Sequence, residues 1–231
     1  MLRIALLLLL IPVTAAAALT PIFDLRVRQE AQDGVYYFAP EQNRNWIRVR
    51  TRAGATWDAG DHAVTLRLVN GHRHMMTPDQ DLDWDEVILD RLQWRWSPAE
   101  ARAMTLGRQD IIWPGGFLML EGHPLDGSRS IYHNAVRVQW DAFDVSAVFN
   151  QKYDDLVLID DQRRPLSDMD EAGGSLRWSR GGWAWSLIGK YETDPDEVLD
   201  DLTTITGSVR HDRTFADSGK WHLDLAAQWQ D

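Results

Sequence analysis

The sequence predicts an all-β protein: an antiparallel up-and-down transmembrane β-barrel with about eleven strands present and the barrel incomplete in this chain. Three patterns lead to this prediction. Polar and apolar residues alternate along the predicted strands, the connections alternate between long and short, and aromatic residues recur eight positions apart on one strand face. Alternation over segments of about ten residues is typical of strands that cross a membrane, although each segment alone is weak support.

The clearest strand is 45–54, in which three arginines alternate with apolar or small residues. Ile47, Val49, Thr51 and Ala53 point to one face, and Arg48, Arg50 and Arg52 point to the other. A helix would rotate each arginine by about 200° from the last, so only a strand separates the two sets. In a soluble protein the apolar face would pack on a core, whereas in an outer-membrane barrel it would face lipid and the arginines would line a lumen.

Ten further strands follow from the same alternation. They are predicted at 23–32, 61–69, 87–96, 104–109, 134–140, 143–150, 175–179, 183–191, 204–210 and 221–230. Asp90 falls on the apolar side of strand 87–96 and fits that alternation poorly.

The connections between these strands supply the second pattern. Those at 33–44, 70–85, 110–133, 153–171 and 192–201 are long, those at 55–60, 97–103, 141–142 and 181–182 are short, and 214–220 is moderate. Such alternation places every long loop at one end of the sheet, as in bacterial outer-membrane barrels. A Greek-key sandwich gives no reason for it.

Aromatic residues supply the third pattern. Trp183 and Tyr191 lie eight residues apart on one strand face, as do Trp221 and Trp229. Eight residues rise ~26 Å along a strand, or ~20 Å along the membrane normal at a tilt of ~40°, which is close to the separation of two aromatic girdles. Packing in a core is the alternative. Further tryptophans compatible with girdles are Trp46, Trp57 and Trp140.

Composition and the first residues bound the protein class. The chain of 231 residues carries a net charge of −11, which argues against a nucleic-acid partner. It has no cysteine, and its mean hydropathy of −0.38 argues against a helical membrane protein. Residues 1–18 are predicted to be a signal peptide, with Arg3 before a short apolar run and small residues at the cleavage site. Residues 19–231 would then be the N-terminal portion of a barrel in the outer membrane.

Charge is distributed unevenly between loops and strands. Acidic residues crowd the long loops, where plain solvation or divalent-cation bridging to lipopolysaccharide would explain them. They are Asp79, Asp81, Asp83, Asp85, Glu86, Asp154, Asp155, Asp160, Asp161, Asp168, Asp170, Glu171, Asp194, Asp196, Glu197, Asp200 and Asp201.

Arginines occupy the polar strand faces and form the predicted pore lining. The set is Arg26, Arg28, Arg48, Arg50, Arg52, Arg67, Arg91, Arg95, Arg137 and Arg177. Guanidinium groups in a lumen favour anions, and their planar fork suits the carboxylates of a uronate chain. Acids expected to temper this field are Asp24, Glu30, Asp144 and Asp224. The alternative is that the arginines pair with acids and brace the wall.

Three central segments carry a family resemblance. They are Leu106-Gly107-Arg108-Gln109-Asp110, Gly127-Ser128-Arg129-Ser130 and Asn134-Ala135-Val136-Arg137-Val138. With the arginine-rich strand 45–54, they resemble the alginate-export family of outer-membrane β-barrels, over roughly residues 23–152. The resemblance implies Gly107, Arg108 and Gln109 as motif residues and an arginine-lined conduit for an anionic polysaccharide. Because family barrels have more strands, and the chain ends in mid-strand, we expect this to be the N-terminal part of a longer barrel.

Catalytic patterns are poor. His72 and His74 could share a strand face but lack a third ligand, so a solvated pair is favoured. His123 and His133 have no paired nucleophile, and Gly115-Gly116 lacks the context of a phosphate loop. The sequence therefore predicts no enzyme, no cofactor and no metal.

The predicted function is an outer-membrane channel or porin that conducts anionic solutes, with an alginate-like polyuronate as one candidate. Its partners would be outer-membrane lipid and lipopolysaccharide, together with an anionic polysaccharide or a small anionic solute. The first alternative is a secreted soluble β-sandwich or jelly roll that binds or degrades carbohydrate. The second is a non-conducting adhesin or scaffold that acts through its acidic loops.

Overall fold

The computed structural model describes residues 17–35, 42–77, 87–113, 132–153, 157–159, 169–215 and 219–231. The regular structure in these ranges is β, and its twelve strands form one antiparallel sheet. Within those ranges no helix has the length and apolar character needed to span a membrane. The predicted all-β class and up-and-down order are therefore confirmed.

The strands follow one another across the sheet. They are β1 Ala18–Val35, β2 Gln42–Ala59, β3 His62–Thr77, β4 Val87–Ala99, β5 Arg102–Gln109, β6 His133–Trp140, β7 Phe143–Asn150, β8 Val157–Ile159, β9 Asp170–Arg180, β10 Trp183–Thr193, β11 Leu202–Phe215 and β12 Gly219–Gln230. Each pairs with the next, except that β7 pairs with β9 and β8 pairs with β4. The sheet is not closed, because β1 and β12 are its two edges.

Eleven of these strands match the predicted ones, and β8 is an addition. It lies inside the connection 153–171, which the sequence predicted as a plain long loop. Ala18, assigned above to the end of the signal peptide, is the first residue of β1.

The connections confirm the predicted alternation. Two-residue turns at 60–61, 100–101, 141–142 and 181–182 lie at one end of the sheet, here called the turn end. The opposite end, here called the loop end, carries the connections 36–41, 78–86, 110–132, 151–169 and 194–201. Tight turns need left-handed backbone, and Gly60, Ala101, Asp141, Gly181 and Gly182 adopt it.

Cross-strand register divides the side chains between two faces. The face that carries Arg50 and Arg67, here called the charged face, holds charges that are mostly buried or half-buried, and Arg50 is only 2% exposed. The opposite face, here called the apolar face, is open: Phe23 is 74% exposed and Val27 63%. In a soluble antiparallel sheet the apolar face is the covered one, so this burial is reversed.

Aromatic side chains mark both ends of the apolar face. Trp183 and Tyr191 lie at the turn end and the loop end of β10, and both are exposed. Aromatic rings pack more closely at the turn end. Trp183 stacks on His211 there at 4.2 Å, and His211 meets Trp221 edge-on at 5.2 Å between ring centroids. Trp46, by contrast, does not lie in the predicted aromatic girdle.

Trp46 is buried on the charged face, since its β1 partner is Glu30. The Arg48 guanidinium lies 5.8 Å from the centre of its ring. A cation over an aromatic ring is favourable, which explains a tryptophan among charges.

Several predicted features lie outside the described residues. They are the signal peptide up to residue 16, Gly115-Gly116, His123, the segment Gly127-Ser128-Arg129-Ser130 and the acidic residues within 78–86, 154–156 and 160–168.

Candidate functional site

All ten predicted arginines share the charged face. Register pairs Arg26 with Arg50 and Arg28 with Arg48 across β1 and β2, and Arg67 with Arg91 across β3 and β4. Arg52, Arg95, Arg137 and Arg177 lie on the same face through the intervening pairs. Alternation therefore placed the arginines together, with eight of them on β1–β4.

Asp90 is the central anion of this arginine group. The register moves from Arg67 opposite Arg91 to Leu68 opposite Leu89, so Asp90 is the extra residue of a β-bulge. A bulge re-aims a side chain, here onto the charged face. Nε of Arg67 donates to Oδ1 of Asp90 at 2.9 Å and Nη2 donates to Oδ2 at 2.8 Å, while Nε of Arg52 lies 3.6 Å from Oδ2. The poor fit of Asp90 to the apolar side is thereby explained.

Asp110 joins the same group from just beyond β5. Its Oδ2 contacts Nη2 of Arg91 and lies 3.5 Å from Nη2 of Arg67. Charges of opposite sign thus alternate from Arg52 through Asp90, Arg67 and Asp110 to Arg91. We call these five residues the ion row.

Each of the four acids expected to temper the arginines contacts at least one arginine. Oδ2 of Asp24 lies 3.2 Å from Nη2 of Arg50, and Oε1 of Glu30 contacts Arg28 and lies 3.4 Å from Nε of Arg48. The remaining two contacts join Asp144 to Arg137 and Asp224 to Arg210. Arg210 was missing from the predicted site, although it lies on the polar side of a predicted strand.

Positive charge exceeds negative charge on β1–β4. Eight of the predicted arginines lie there, and in the part of the chain that the structure describes four carboxylates, those of Asp24, Glu30, Asp90 and Asp110, contact Arg28, Arg48, Arg50, Arg52, Arg67 and Arg91. Nε and Nη1 of Arg50 and Nε of Arg91 are buried without a hydrogen-bond partner among the described residues. Such donors attract anions, because a buried N–H without a partner is unfavourable.

The rest of the charged face is more nearly neutral. Oγ of Ser146 lies 2.7 Å from Oγ of Ser175, and Oγ1 of Thr206 donates to Oε1 of Gln228 at 3.2 Å. Arginine density therefore falls from β1–β4 toward β9–β12, leaving a hydroxyl-rich surface able to hydrogen-bond a sugar or water.

Two segments outside the main strands lie at the loop end. Ile111 and Trp113 pack with Ala135 and Val148, and Ile188 packs against them. Since the last three residues lie on the charged face of β6, β7 and β10, the segment 110–113 lies over that face. The second segment, β8, pairs with Val87 and Ile88 of β4 beyond the last β4–β5 pair.

The motif residues Gly107, Arg108 and Gln109 hold the loop end of β5. Gly107 has φ of 110°, and a Cβ there would lie 2.3 Å from the Leu92 carbonyl oxygen. Arg108 is buried, its guanidinium is 4.0 Å from the Tyr132 ring centre, and its Nη1 donates to the Leu89 carbonyl at 2.9 Å. Nε2 of Gln109 donates to the Ala135 carbonyl at 3.1 Å. The motif has a structural role here, joining β4, β5 and β6.

A clamp joins two loops at the loop end. Nζ of Lys152, just after β7, lies 2.7 Å from Oδ1 of Asp194 and 3.0 Å from Oδ2 of Asp196, just after β10. Oδ2 of Asp194 also accepts the backbone N–H groups of Val198 and Leu199. The hydrogen bond from Lys152 holds the pKa of Asp194 well below its usual range, and Asp194 with Asp196 raises the pKa of Lys152.

The histidines form no metal site in the described ranges. His72 and His74 pair with Val49 and Ile47 on the apolar face, and no group of three suitable ligands occurs among the described residues. Nδ1 of His133 lies 3.1 Å from Nδ2 of Asn150 on β7.

No protein-family model matches the chain, and no curated protein matches it.

Proposed function

We propose that this chain forms part of the wall of an outer-membrane β-barrel pore that conducts anionic solutes along its charged face. One observation carries the proposal: charges are buried on one face of the sheet while large apolar side chains are exposed on the other. That arrangement is stable where acyl chains cover the apolar face and the charged face lines a wet lumen. In water, so large an apolar surface would drive association.

The dimensions of the sheet support a membrane setting. Apart from β8, the strands have 8 to 18 residues, and a tilted strand needs about 9–11 to cross a bilayer. Aromatic side chains at both ends of β10 and β12 suit the two interfaces. The edges β1 and β12 would have to pair within a closed barrel, because lipid tolerates no open strand edge.

The arginine excess supports an acidic solute. Guanidinium groups bind carboxylates through two parallel hydrogen bonds, and a polyuronate presents such carboxylates along its length. With the resemblance around Gly107, Arg108 and Gln109, this favours an alginate-like polyuronate over small anions alone. The proposal includes removal of residues 1–18 as a signal peptide, contact with outer-membrane lipid and lipopolysaccharide, and no catalytic role.

The soluble-sandwich alternative requires the opposite burial. A sandwich would cover Val27 and Leu187 with a second layer, yet all described strands belong to one sheet and both residues are exposed. A soluble protein would remain folded and monomeric in plain buffer, whereas a pore needs detergent or lipid.

The experiment that tests the proposed function is planar-bilayer recording of the purified protein under a potassium chloride gradient. The reversal potential should show a preference for anions, and the triple variant R48E/R50E/R52E should weaken or invert it. R180E is the control, because Arg180 is exposed at the turn end on the apolar-face register. An anion preference that survives the triple variant unchanged would contradict the lumen assignment, and a silent bilayer would favour the adhesin.

A further inference from the structure

We propose that Arg67 and Arg91 form a carboxylate-binding subsite that the chain's own Asp110 fills, and that a carboxylate of the solute displaces Asp110 from it. Displacement would release the segment 110–113, so the acidic solute would open its own path. This inference rests on the proposed function, because it requires the charged face to meet an acidic solute.

Asp110 fits its arginine partners less well than Asp90 and Asp144 fit theirs. Asp90 binds Arg67 side-on, with both of its oxygens accepting, and Asp144 binds Arg137 in the same manner. Asp110 instead offers Oδ2 alone. Its Oδ1 and Nε of Arg91 are both buried without a hydrogen-bond partner among the described residues.

A free carboxylate could satisfy what Asp110 leaves unsatisfied. Nε and Nη2 of an arginine form a fork that matches the two oxygens of a carboxylate. A uronate approaching Arg91 side-on would use Nε, which Asp110 does not reach. Asp90, by contrast, is 0% exposed, lies within β4 and already uses both oxygens, so it is not an exchangeable occupant.

The segment 110–113, which Asp110 anchors, is held by few contacts and can be displaced. Ile111 and Trp113 rest on a small apolar cluster with Ala135, Val148 and Ile188, at the loop end of the charged face. Trp113 is 4% exposed, but its indole N–H has no hydrogen-bond partner in the described part of the chain. The apolar contacts and the ion pair to Asp110 together hold the segment, and loss of the ion pair weakens that hold.

The test follows Trp113 directly. The full chain in detergent micelles is labelled with 5-fluorotryptophan, and the Trp113 fluorine resonance is assigned by its absence in W113F. Mannuronate oligomers serve as the acidic probe and neutral mannose oligomers as the uncharged control. We expect mannuronate, and not mannose, to shift the resonance. D110N should shift it without any probe and raise the apparent affinity for mannuronate about tenfold, because affinity scales with the fraction of open subsites.

Two further variants keep the proposal falsifiable. R91K retains the charge and loses the fork, so the Trp113 resonance should stay in place while mannuronate binding weakens. D141N, which breaks an exposed ion pair with Arg102 at the turn end, should change neither quantity. A resonance unmoved by both D110N and mannuronate overturns the subsite, and so does unchanged or weaker binding by D110N. The proposed function is tested by a different measurement. An absence of anion preference in bilayers would contradict it, and the fluorine signal does not measure that preference.

Discussion

At the residue scale, Asp90 sets the arrangement of the buried arginines. Its carboxylate is fully buried, and both Arg52 and Arg67 contact it. Removing one partner of a buried ion pair leaves the other partner charged and unpaired, which is much less favourable than losing an exposed pair. Asp90 therefore matters chiefly because it offsets two cations that are almost wholly buried.

We predict that D90N lowers the free energy of unfolding by about 3–5 kcal/mol. Urea titration in detergent, followed by tryptophan fluorescence, measures this. The control is D141N, whose exposed pair with Arg102 should contribute only about 0–1 kcal/mol. Equal losses in the two variants would contradict a central role for Asp90.

Gly107 gives a second prediction at this scale. Its φ of 110° is unfavourable for other residues, and a Cβ would lie 2.3 Å from the Leu92 carbonyl oxygen. We expect G107A to lower the free energy of unfolding by about 1–3 kcal/mol, by the same titration. G189A is the matched control, because a Cβ on Gly189 would meet nothing within 4 Å. Equal free energies of unfolding for G107A and G189A would show that a Cβ at position 107 causes no strain.

Individual residues also show which features the sequence could predict and which it could not. The faces of the ten arginines could be predicted, because a period of two fixes them once the strand is known. Asp90 and Trp46 could not be placed, since a bulge shifts the register and a cation can hold an indole on a polar face. The broken alternation at Asp90 was the available signal for the bulge.

At the element scale, the strands extend beyond their predicted ends. β1 runs to Val35 and β3 to Thr77, past the last alternating apolar residues. Alternation marks only the depth at which one face is apolar, whereas backbone hydrogen bonds continue for as long as two strands lie side by side. β8 was missed because three residues paired through their backbone carry no periodic pattern.

The loop clamp makes a prediction about pH. The pKa of Asp194 is lowered, so its stabilising contribution is present above its unfolded pKa of about 4 and is lost as the pH falls through the lower folded value. The pKa of Lys152 is raised, so its contribution is present below about 10 and is lost as the pH rises through the higher folded value. Hydrogen exchange should therefore find the Val198 and Leu199 amides equally protected from about pH 5 to 9.

A substitution tests the same clamp. K152M should reduce the protection of the Val198 and Leu199 amides, because Asp194 loses its cation. K190M is the matched control, since Lys190 pairs with Glu192 and does not contact the clamp. Protection that falls between pH 5 and 9, or that K152M leaves intact, would show that the clamp does not order this loop.

At the scale of the whole molecule, the sequence predicted the order of the sheet but not what lies over it. Alternation and connection length are local properties, and they sufficed for the up-and-down order. The packing of Ile111 and Trp113 near Ile188 joins distant parts of the chain and leaves no local pattern. Asp110 was visible within the Leu106–Asp110 motif, but its role in the ion row depends on that fold.

The proposed pore is tested most directly by determining which face of the sheet meets lipid. The chain has no cysteine, so single cysteines can carry spin labels at Leu187 and Leu225 on the apolar face and at Ser186 and Ser208 on the charged face. In liposomes, collision rates are measured with oxygen, which concentrates in lipid, and with a water-soluble nickel chelate. We predict that labels at Leu187 and Leu225 favour oxygen and that labels at Ser186 and Ser208 favour nickel. The opposite order, or nickel access at all four positions, would contradict it.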